Sequence, residues 1–246
     1  MPAELEPSYY DSCTLDASDG FVKYYRWVLD QVVQHIGGRT LEIGSGTGNL
    51  SIRIEDRCSE MVLVEPAENL HAALVRRFAD SPQVNALLGS FDEARESDPG
   101  AFADGFDTIV SFNVLEHIKD DVATLRGAAD VLRPNGRVVL FVPAVPFLYG
   151  TLDSQVDHER RYSKRALRTA LESAGLEVER IKYFDFLGMI PWFLMGRVLR
   201  RSATGEGVPA YDRFVIPVCR VFDRLVGPPI GKNLIAIARH PRTPPT

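Results

Sequence analysis

The sequence predicts an α/β protein whose parallel sheet is covered by helices on both faces. Short apolar runs alternate with amphipathic segments between residues 39 and 142. The first run leads into a glycine-rich turn, LEIGSGTGNL at 41–50, and the second, MVLVE at 61–65, also ends in an acid. Strands that alternate with helices favour a parallel, doubly wound sheet. The turn and the second acid follow strand ends, where open α/β sheets bind small molecules.

Apolar periodicity and turn signals assign the first elements in chain order. A helix is expected over 21–36, because its apolar residues have helical spacing and Gly37-Gly38 ends it. Pro134-Asn135-Gly136 predicts a turn before the last element of this half. The alternating elements between these two points are strand 39–43, helix 48–57, strand 60–65, helix 67–79, strand 84–88, strand 106–112, helix 120–132 and strand 136–142.

The alternation changes after Pro143. Residues 144–162 are predicted to form a loop rich in aromatic and charged side chains. The expected elements beyond it are helix 163–174, strand 176–183, a mostly helical stretch 185–226 interrupted around 204–209, and strand 233–239. We expect a single domain over 1–246, made of an N-terminal helical segment 1–36, a half 37–143 with the glycine turn, and a half 144–246 with the helical insertion 185–226.

Composition narrows the class of protein. The chain has 246 residues, of which 45% are hydrophobic and 25% charged, as in ordinary globular domains. Its net charge of −5 argues against a nucleic-acid substrate. Cys13, Cys58 and Cys219 are scattered, without the spacing of a disulfide framework or a zinc site. The acidic, polar N-terminus does not read as a signal peptide, so a cytoplasmic protein is expected.

The glycine turn departs from the dinucleotide fingerprint, which has glycine at its first, third and sixth places. Gly44 and Gly46 fit, but the sixth place is Asn49. Glu42 would repel a pyrophosphate and could help to hold a cationic ligand. Glu65 lies 21 residues after Gly44, the spacing at which an acid meets ribose hydroxyls. The site therefore suits a cationic nucleoside such as S-adenosylmethionine, and an NAD-dependent oxidoreductase is a distant alternative.

Taken together, five segments resemble the class I S-adenosylmethionine-dependent methyltransferases. They are LEIGSGTGNL (41–50), VLVEP (62–66), LLGSFDE (87–93), FDTIVSFNVLEHIKDD (106–121) and LRPNGRVVLFVP (132–143). The resemblance implies a Rossmann-like, doubly wound sheet of seven mostly parallel strands. In that fold the last strand is antiparallel, and helices before it form a cap. It also implies S-adenosyl-L-methionine as cofactor and a small-molecule acceptor.

The resemblance assigns a set of cofactor contacts. Glu65 is expected to accept hydrogen bonds from both ribose hydroxyls. Many relatives carry an Asp at position 90, where this chain has Ser90, so the backbone N–H and ring of Phe91 are expected to contact the adenine; the alternative is a loop with a core Phe. The full predicted set is Glu42, Gly44, Ser45, Gly46, Asn49, Glu65, Pro66, Ser90, Phe91, Asn113, Val114 and Leu115.

Two clusters are candidates for the methyl-transfer chemistry. In the first, Glu116-His117, no third ligand is visible, so no metal is predicted; His117 is favoured as a wall of the cofactor site and remains a candidate base. The second covers 149–162, where His158 could take a proton from a hydroxyl. The alternative interpretation of the 149–162 cluster is a network of ion pairs and hydrogen bonds that holds the loop in place. The predicted residues are His158, His117 and Tyr162 for catalysis, and Tyr149, Arg160 and Arg161 for acceptor binding.

The segment FDFLGMIPWFLMGRVL at 184–199 is the most apolar stretch. It is too short and too interrupted to span a bilayer. Packing as a cap helix or dimer contact is favoured over a position at a membrane surface. The predicted function is methyl transfer to a small molecule, a secondary metabolite methylated at oxygen, by a monomer or homodimer. The alternatives are a methyltransferase acting on a lipid-linked or glycan intermediate, and a cyclase or scaffold that retains the cofactor.

Overall fold

The computed structural model describes residues 21–200 and 208–241. Its strands are β1 (Gly38–Ile43), β2 (Cys58–Glu65), β3 (Val84–Leu88), β4 (Phe106–Phe112), β5 (Leu132–Pro143), β6 (Glu177–Phe184) and β7 (Asn233–Arg239). They form one seven-stranded sheet in the order β3-β2-β1-β4-β5-β7-β6. Strand β7 runs antiparallel to both β5 and β6, and the other pairs are parallel. The predicted fold class is confirmed.

Helices cover both faces of this sheet. They are α1 (Val22–Leu29), α2 (Ser51–Ile54), α3 (Glu68–Arg77), α4 (Phe91–Ser97), α5 (Gly100–Ala103), α6 (Asp121–Asp130), α7 (Thr151–Gln155), α8 (Lys164–Ser173), α9 (Met189–Phe193), α10 (Val208–Phe214) and α11 (Ile216–Val226). A π-helical turn, Leu194–Val198, continues α9. The core therefore has two halves, and successive residues of β5 such as Leu140 and Phe141 belong to opposite ones. Burial on both faces explains the apolar runs of the central strands, such as residues 138–142 of β5.

Several elements differ from the sequence prediction. The predicted helix 48–57 is shortened to α2 followed by a 3₁₀ turn, Glu55–Arg57, and α5 lies in the predicted polar stretch. The first helix ends at Leu29 rather than 36, and Asp212 of α10 caps its start by accepting from the backbone N–H groups of Lys23 (2.8 Å) and Tyr24 (2.9 Å). Helix α4 arises in a predicted polar stretch, because Ser90 and Glu93 form a capping box. Helix α7 lies within the predicted loop 144–162.

The predicted turn at 134–136 lies inside β5 as a bulge. Phe106 pairs with Leu132, whereas Thr108 pairs with Arg137, so β5 has extra residues between these pairs. Asn135 adopts a positive φ of 65° there, which Asn tolerates better than most residues. The sequence therefore marked a real irregularity at 134–136, but β5 pairs with β4 both before and after it.

The helical insertion before β7 is present in the described residues. Part of the predicted interruption at 204–209, and all of residues 1–20, lie outside them. No helix among the described residues is long and apolar enough to cross a bilayer. The predicted division of the chain into halves remains a prediction.

Candidate active site

A cavity of about 460 Å³ lies at the carboxyl ends of β1, β2, β4 and β5. It joins the turn after β1 to the loop after β5. Open α/β sheets place ligands at this edge, because the strand ends and the loops leave a crevice there. The predicted cofactor residues that line it are Glu42, Gly44, Ser45, Gly46, Asn49, Glu65, Pro66, Asn113 and Val114.

The turn after β1 needs glycine at two positions for different reasons. Gly44 has φ of 73°, and a Cβ there would overlap the side chain of Val114. Gly46 has φ of 56°, and a Cβ there would meet no atom within 4 Å. The first glycine therefore lets the chain pass close to the end of β4. Gly46 leaves an open cradle, that is, free space between the turn and the cavity. A ligand can approach the backbone of the turn there.

Two buried carboxylates flank this turn. Glu65 accepts hydrogen bonds from the backbone N–H of Gly46 (2.7 Å) and of Ala67 (2.9 Å). Burial raises the pKa of Glu65, and these two hydrogen bonds counter that effect. A carboxylate has about four acceptor sites, so Glu65 keeps capacity for the hydroxyls of a ligand. Burial also raises the pKa of Glu42, to about 7, although Ser51 donates a hydrogen bond to it.

Three predicted cofactor residues lie outside the cavity lining. Ser90 caps α4, its backbone N–H donating to Glu93 at 2.7 Å. Phe91 is buried in the core against Phe102, with ring centroids 6.1 Å apart. Leu115 is likewise buried in the core below the sheet. The ring of Phe91 therefore lies in the core, as in the alternative interpretation of 87–93, and the contact of its backbone N–H with the adenine stays a prediction.

On the other side of the cavity, the carboxylate of Asp153 in α7 binds several donors. It accepts from Arg161 Nε (2.7 Å), from the backbone N–H of Gly150 (3.0 Å) and from Trp192 Nε1 (3.4 Å), and it pairs with His158 Nδ1 (2.8 Å). Burial alone would raise the pKa of Asp153, but His158 and Arg161 hold it below its usual value. Since an ionised carboxylate only accepts, the contact assigns a proton to Nδ1, and in the tautomer with that proton alone Nε2 is an acceptor.

His158 lies beside the Glu116-His117 pair. Its Nε2 is 3.7 Å from Glu116 Oε1, and its ring centroid is 4.8 Å from that of His117. Burial raises the pKa of Glu116 to about 8 and lowers that of His117 to about 4, so both side chains are mostly neutral at pH 7. The carboxyl oxygens of Glu116 have no hydrogen-bond partner among the described residues.

His158 is thus the third potential ligand that the sequence did not reveal. One ligand atom from each of Glu116, His117 and His158 lies within 4.8 Å of the others. Two imidazoles and a carboxylate are a donor set that a divalent ion accepts. The prediction that the protein has no metal site stays a prediction, and it needs a direct test.

Three of the predicted catalytic and acceptor-binding residues hold the loop and do not line the cavity. The hydroxyl of Tyr162 donates to Asp121 Oδ2 (2.6 Å), and that of Tyr149 donates to the carbonyl of His158 (2.7 Å). Arg160 donates to the carbonyls of Ile118 and Lys119, both at 2.8 Å. These contacts match the alternative of a network that pins the loop. His158, His117 and Arg161 do line the cavity.

The acceptor side also contains residues that the sequence analysis missed. Arg161 lies over the ring of Trp192, 4.9 Å from its centroid, and Lys232 Nζ lies 4.9 Å from the centroid of Tyr24. Asp185 neutralises Lys232 at 2.9 Å. Trp192 belongs to the apolar stretch noted in the sequence, and Tyr24 to the first predicted helix. Nothing in the sequence around Lys232 indicated its place in the site.

A family model described as a methyltransferase domain matches residues 23–181. The chain therefore belongs to the methyltransferase domain family, and it is an S-adenosylmethionine-dependent methyltransferase, as predicted. Among curated relatives, the ubiquinone biosynthesis O-methyltransferase of Xanthomonas euvesicatoria pv. vesicatoria is 26% identical over 182 residues, which cover 68% of this chain and 72% of the relative. That of Xanthomonas campestris pv. campestris is 28% identical over 193 residues, 71% of this chain and 77% of the relative.

Solved structures agree on the fold. An S-adenosylmethionine-dependent methyltransferase from Mesorhizobium loti superposes with a TM-score of 0.58 at 14% identity, over 86% of this chain and 95% of that one. The cyclase SpnF superposes with a TM-score of 0.56 at 17% identity, over 90% of this chain and 82% of that one. At these identities the likeness shows the shared fold alone.

The two glycines of the turn should respond differently to Ala. Gly44→Ala should lower the free energy of unfolding by about 3 kcal/mol, because the new methyl group overlaps Val114 and φ is positive. Gly46→Ala should cost about 1 kcal/mol, because only φ is unfavourable. Urea unfolding measures both changes. Equal losses of stability in the two variants would contradict this account of the turn.

Glu42 should make stability depend on pH. Its folded pKa of about 7 lies above the ordinary value of 4.5, so its contribution is fully present below pH 4.5 and is lost as pH rises through 7. The difference in unfolding free energy between the wild type and Glu42→Gln should therefore fall by roughly 3 kcal/mol over that range, following the shift. Urea unfolding of both proteins from pH 4.5 to 8 measures this change. A difference that does not vary with pH would mean that Glu42 is ionised throughout.

Proposed function

We propose that this protein transfers the methyl group of S-adenosylmethionine to a hydroxyl oxygen of a small, apolar, aromatic acceptor. The observation that carries the proposal is the single cavity that contains both the turn with Glu65 and the Asp153-oriented His158. The first part suits a nucleoside, and the second offers a proton acceptor. A methyltransferase acting on oxygen needs both within reach of one another.

At the cofactor end, S-adenosylmethionine supplies a methyl group already activated by its sulfonium. Glu65 would accept from the ribose hydroxyls, for which its backbone contacts hold it in place. The open cradle at Gly46 leaves room for the ligand against the turn. Glu42, buried beneath the turn, would favour a cationic ligand in its ionised form.

At the acceptor end, His158 acts as the general base. Its Nε2 takes the proton of the acceptor hydroxyl, while the oxygen forms a bond to the methyl carbon and the carbon–sulfur bond breaks. The electron pair of that bond remains on sulfur, leaving a neutral thioether. The carboxylate of Asp153, 2.8 Å from His158 Nδ1, holds the ring in position and provides a counter-charge for the imidazolium formed in this step.

The shape and charge of this end support an aromatic acceptor. Phe21, Tyr25 and Trp192 contribute aromatic surface to the cavity wall. Arg161 and Lys232 also line it, and each is already neutralised by a buried carboxylate. The name of the curated relatives, O-methyltransferases of ubiquinone biosynthesis, supports oxygen as the acceptor atom. Methylation of a secondary metabolite fits the same chemistry.

Removing the base should separate turnover from cofactor binding. His158→Ala should lower kcat by about a hundredfold or more, the usual effect of losing a general base. The affinity for S-adenosylhomocysteine, measured by calorimetry, should stay within about twofold, since the substitution is outside the ribose site. The assay incubates the protein with S-adenosylmethionine and a panel of phenols, catechols, amines, carboxylic acids and lipid-linked sugars, and detects the gain of one methyl group by mass. His35→Ala, outside the cavity lining, is the matched control.

Two comparisons test the proposal: the variant against the wild type, and one class of acceptor against another. Full kcat in His158→Ala would remove this residue from the mechanism, and preferential methylation of amines or lipid-linked sugars would contradict the proposed acceptor. We expect the activity to persist in EDTA, because the base alone suffices. Loss in EDTA that is restored by Mg²⁺ or Zn²⁺ would instead assign His158 to a metal site with Glu116 and His117.

A further inference from the structure

The helical insertion before β7 exposes much more apolar side-chain surface than the rest of the described chain. We call the following residues the apolar helical surface: Ile190, Leu194, Val198, Leu199, Phe214, Val218, Val221, Leu225 and Val226. Phe147 extends it, since its ring stacks on Phe193 of α9. Outside this region, exposed large apolar side chains such as Ile52 and Val75 lie on separate helices. Concentration of such residues in one region marks an interaction site.

Helix α11 is apolar on two opposite faces. Ile216 and Cys219 are buried against the protein. Val218, Val221 and Leu225 expose 59%, 57% and 80% of their surface. Their spacing of three and four residues places them in one stripe along the outer side of the helix. The inner face packs α11 against the protein. The outer stripe is exposed, so its apolar side chains are available to a binding partner.

Arginines accompany this stripe. Arg220 and Arg224 are exposed on α11, and at 100° per residue they fall together on one flank of the stripe; Arg220 also forms an exposed ion pair with Asp30 at 2.8 Å. Arg213, near the end of α10, is exposed as well. The acids of the same helices are directed to the protein. Asp212 is buried and binds the start of α1, and Asp223 accepts from backbone N–H groups of residues 185 and 186.

The same charge pattern occurs at the end of α9. Arg197 and Arg200 are exposed beside Val198 and Leu199. The exposed ionic side chains of the described part of 186–227 are therefore cationic, on a chain whose net charge is −5. An apolar stripe with an arginine flank is complementary to an anionic lipid surface, where the apolar side chains enter the bilayer and the guanidinium groups meet phosphates.

We infer that the apolar helical surface docks the protein on an anionic lipid bilayer. Val218, Val221 and Leu225 enter the headgroup region. Arg224 binds lipid phosphates, and Arg220 does so by exchanging its exposed, weakly held partner Asp30 for a phosphate. A second copy of this chain is the other candidate occupant; in an antiparallel two-fold pair of α11 helices the arginine flanks of both copies would lie on the same side and repel each other. In this position the helices lie on the membrane surface, and no helix in 21–200 or 208–241 is long and apolar enough to cross a bilayer.

One of the docking helices forms part of the cavity wall, and the other two pack against a helix that does. Trp192 of α9 lines the cavity, and α10 and α11 pack against α1, whose Tyr24 and Tyr25 also line it. A bilayer on the outer side of these helices would bring an apolar acceptor close to the active site. The inference does not depend on the proposed acceptor, since binding to vesicles is measured without methyl transfer.

Vesicle co-sedimentation of the full chain tests this inference. The wild type should bind vesicles of phosphatidylcholine with 30% phosphatidylglycerol, and bind vesicles of phosphatidylcholine alone at least tenfold more weakly. Val221→Ser with Leu225→Ser should weaken the binding about tenfold, because less apolar surface enters the bilayer. Arg220→Gln with Arg224→Gln should weaken it roughly 25-fold, about fivefold for each arginine.

A matched double variant on another helix controls for general effects. Val75→Ser with Arg76→Gln removes an exposed apolar and an exposed cationic residue from α3 and should leave vesicle binding unchanged. Circular dichroism checks that all variants are folded. Absence of binding to anionic vesicles by the wild type, or equal binding by the stripe variants, would overturn the inference. Concentration-dependent dimers that the stripe variants abolish, without vesicle binding, would assign the surface to a second copy.

Discussion

One buried carboxylate, that of Asp153, organises the acceptor side of the cavity. It binds the imidazole of His158, the guanidinium of Arg161 and the indole of Trp192, which come from the loop after β5 and from α9. A buried carboxylate without these partners would be costly, so the ion pair and the hydrogen bonds form together or not at all. The carboxylate of Asp153 therefore sets the position of the proposed base, of Trp192 in the cavity wall and of the start of α7.

The cofactor side could be predicted from sequence because its geometry is local. Gly44, Gly46 and Glu65 occupy the ends of two neighbouring parallel strands, and the register of those strands brings them together whatever the rest of the chain does. The order of strands and helices followed from apolar periodicity for the same reason. Where a local cap hides in a polar stretch, as Ser90 does at α4, periodicity alone missed the helix.

The acceptor side could be predicted only in part, because its residues are far apart in sequence. Lys232 and Trp192 reach the cavity through the packing of α9 and the start of β7, which no spacing in the sequence reveals. Tyr162 and Arg160 belong to the same conspicuous motif as His158, yet they do not line the cavity and instead bind the loop to Asp121 and to backbone carbonyls. Residue type alone could not separate the side chains that face the ligand from those that hold the loop.

The pairing of buried charges also bears on what the cavity accepts. Arg161 and Lys232 bring two positive charges to its wall, but Asp153 and Asp185 are buried beside them and already neutralise them. A phosphate or carboxylate on an acceptor would have to compete with these carboxylates in an environment of low dielectric, at a high desolvation cost. A neutral hydroxyl on an aromatic ring avoids that cost and can still donate its proton to His158. The pairing of these charges therefore supports the proposed neutral acceptor over an anionic one.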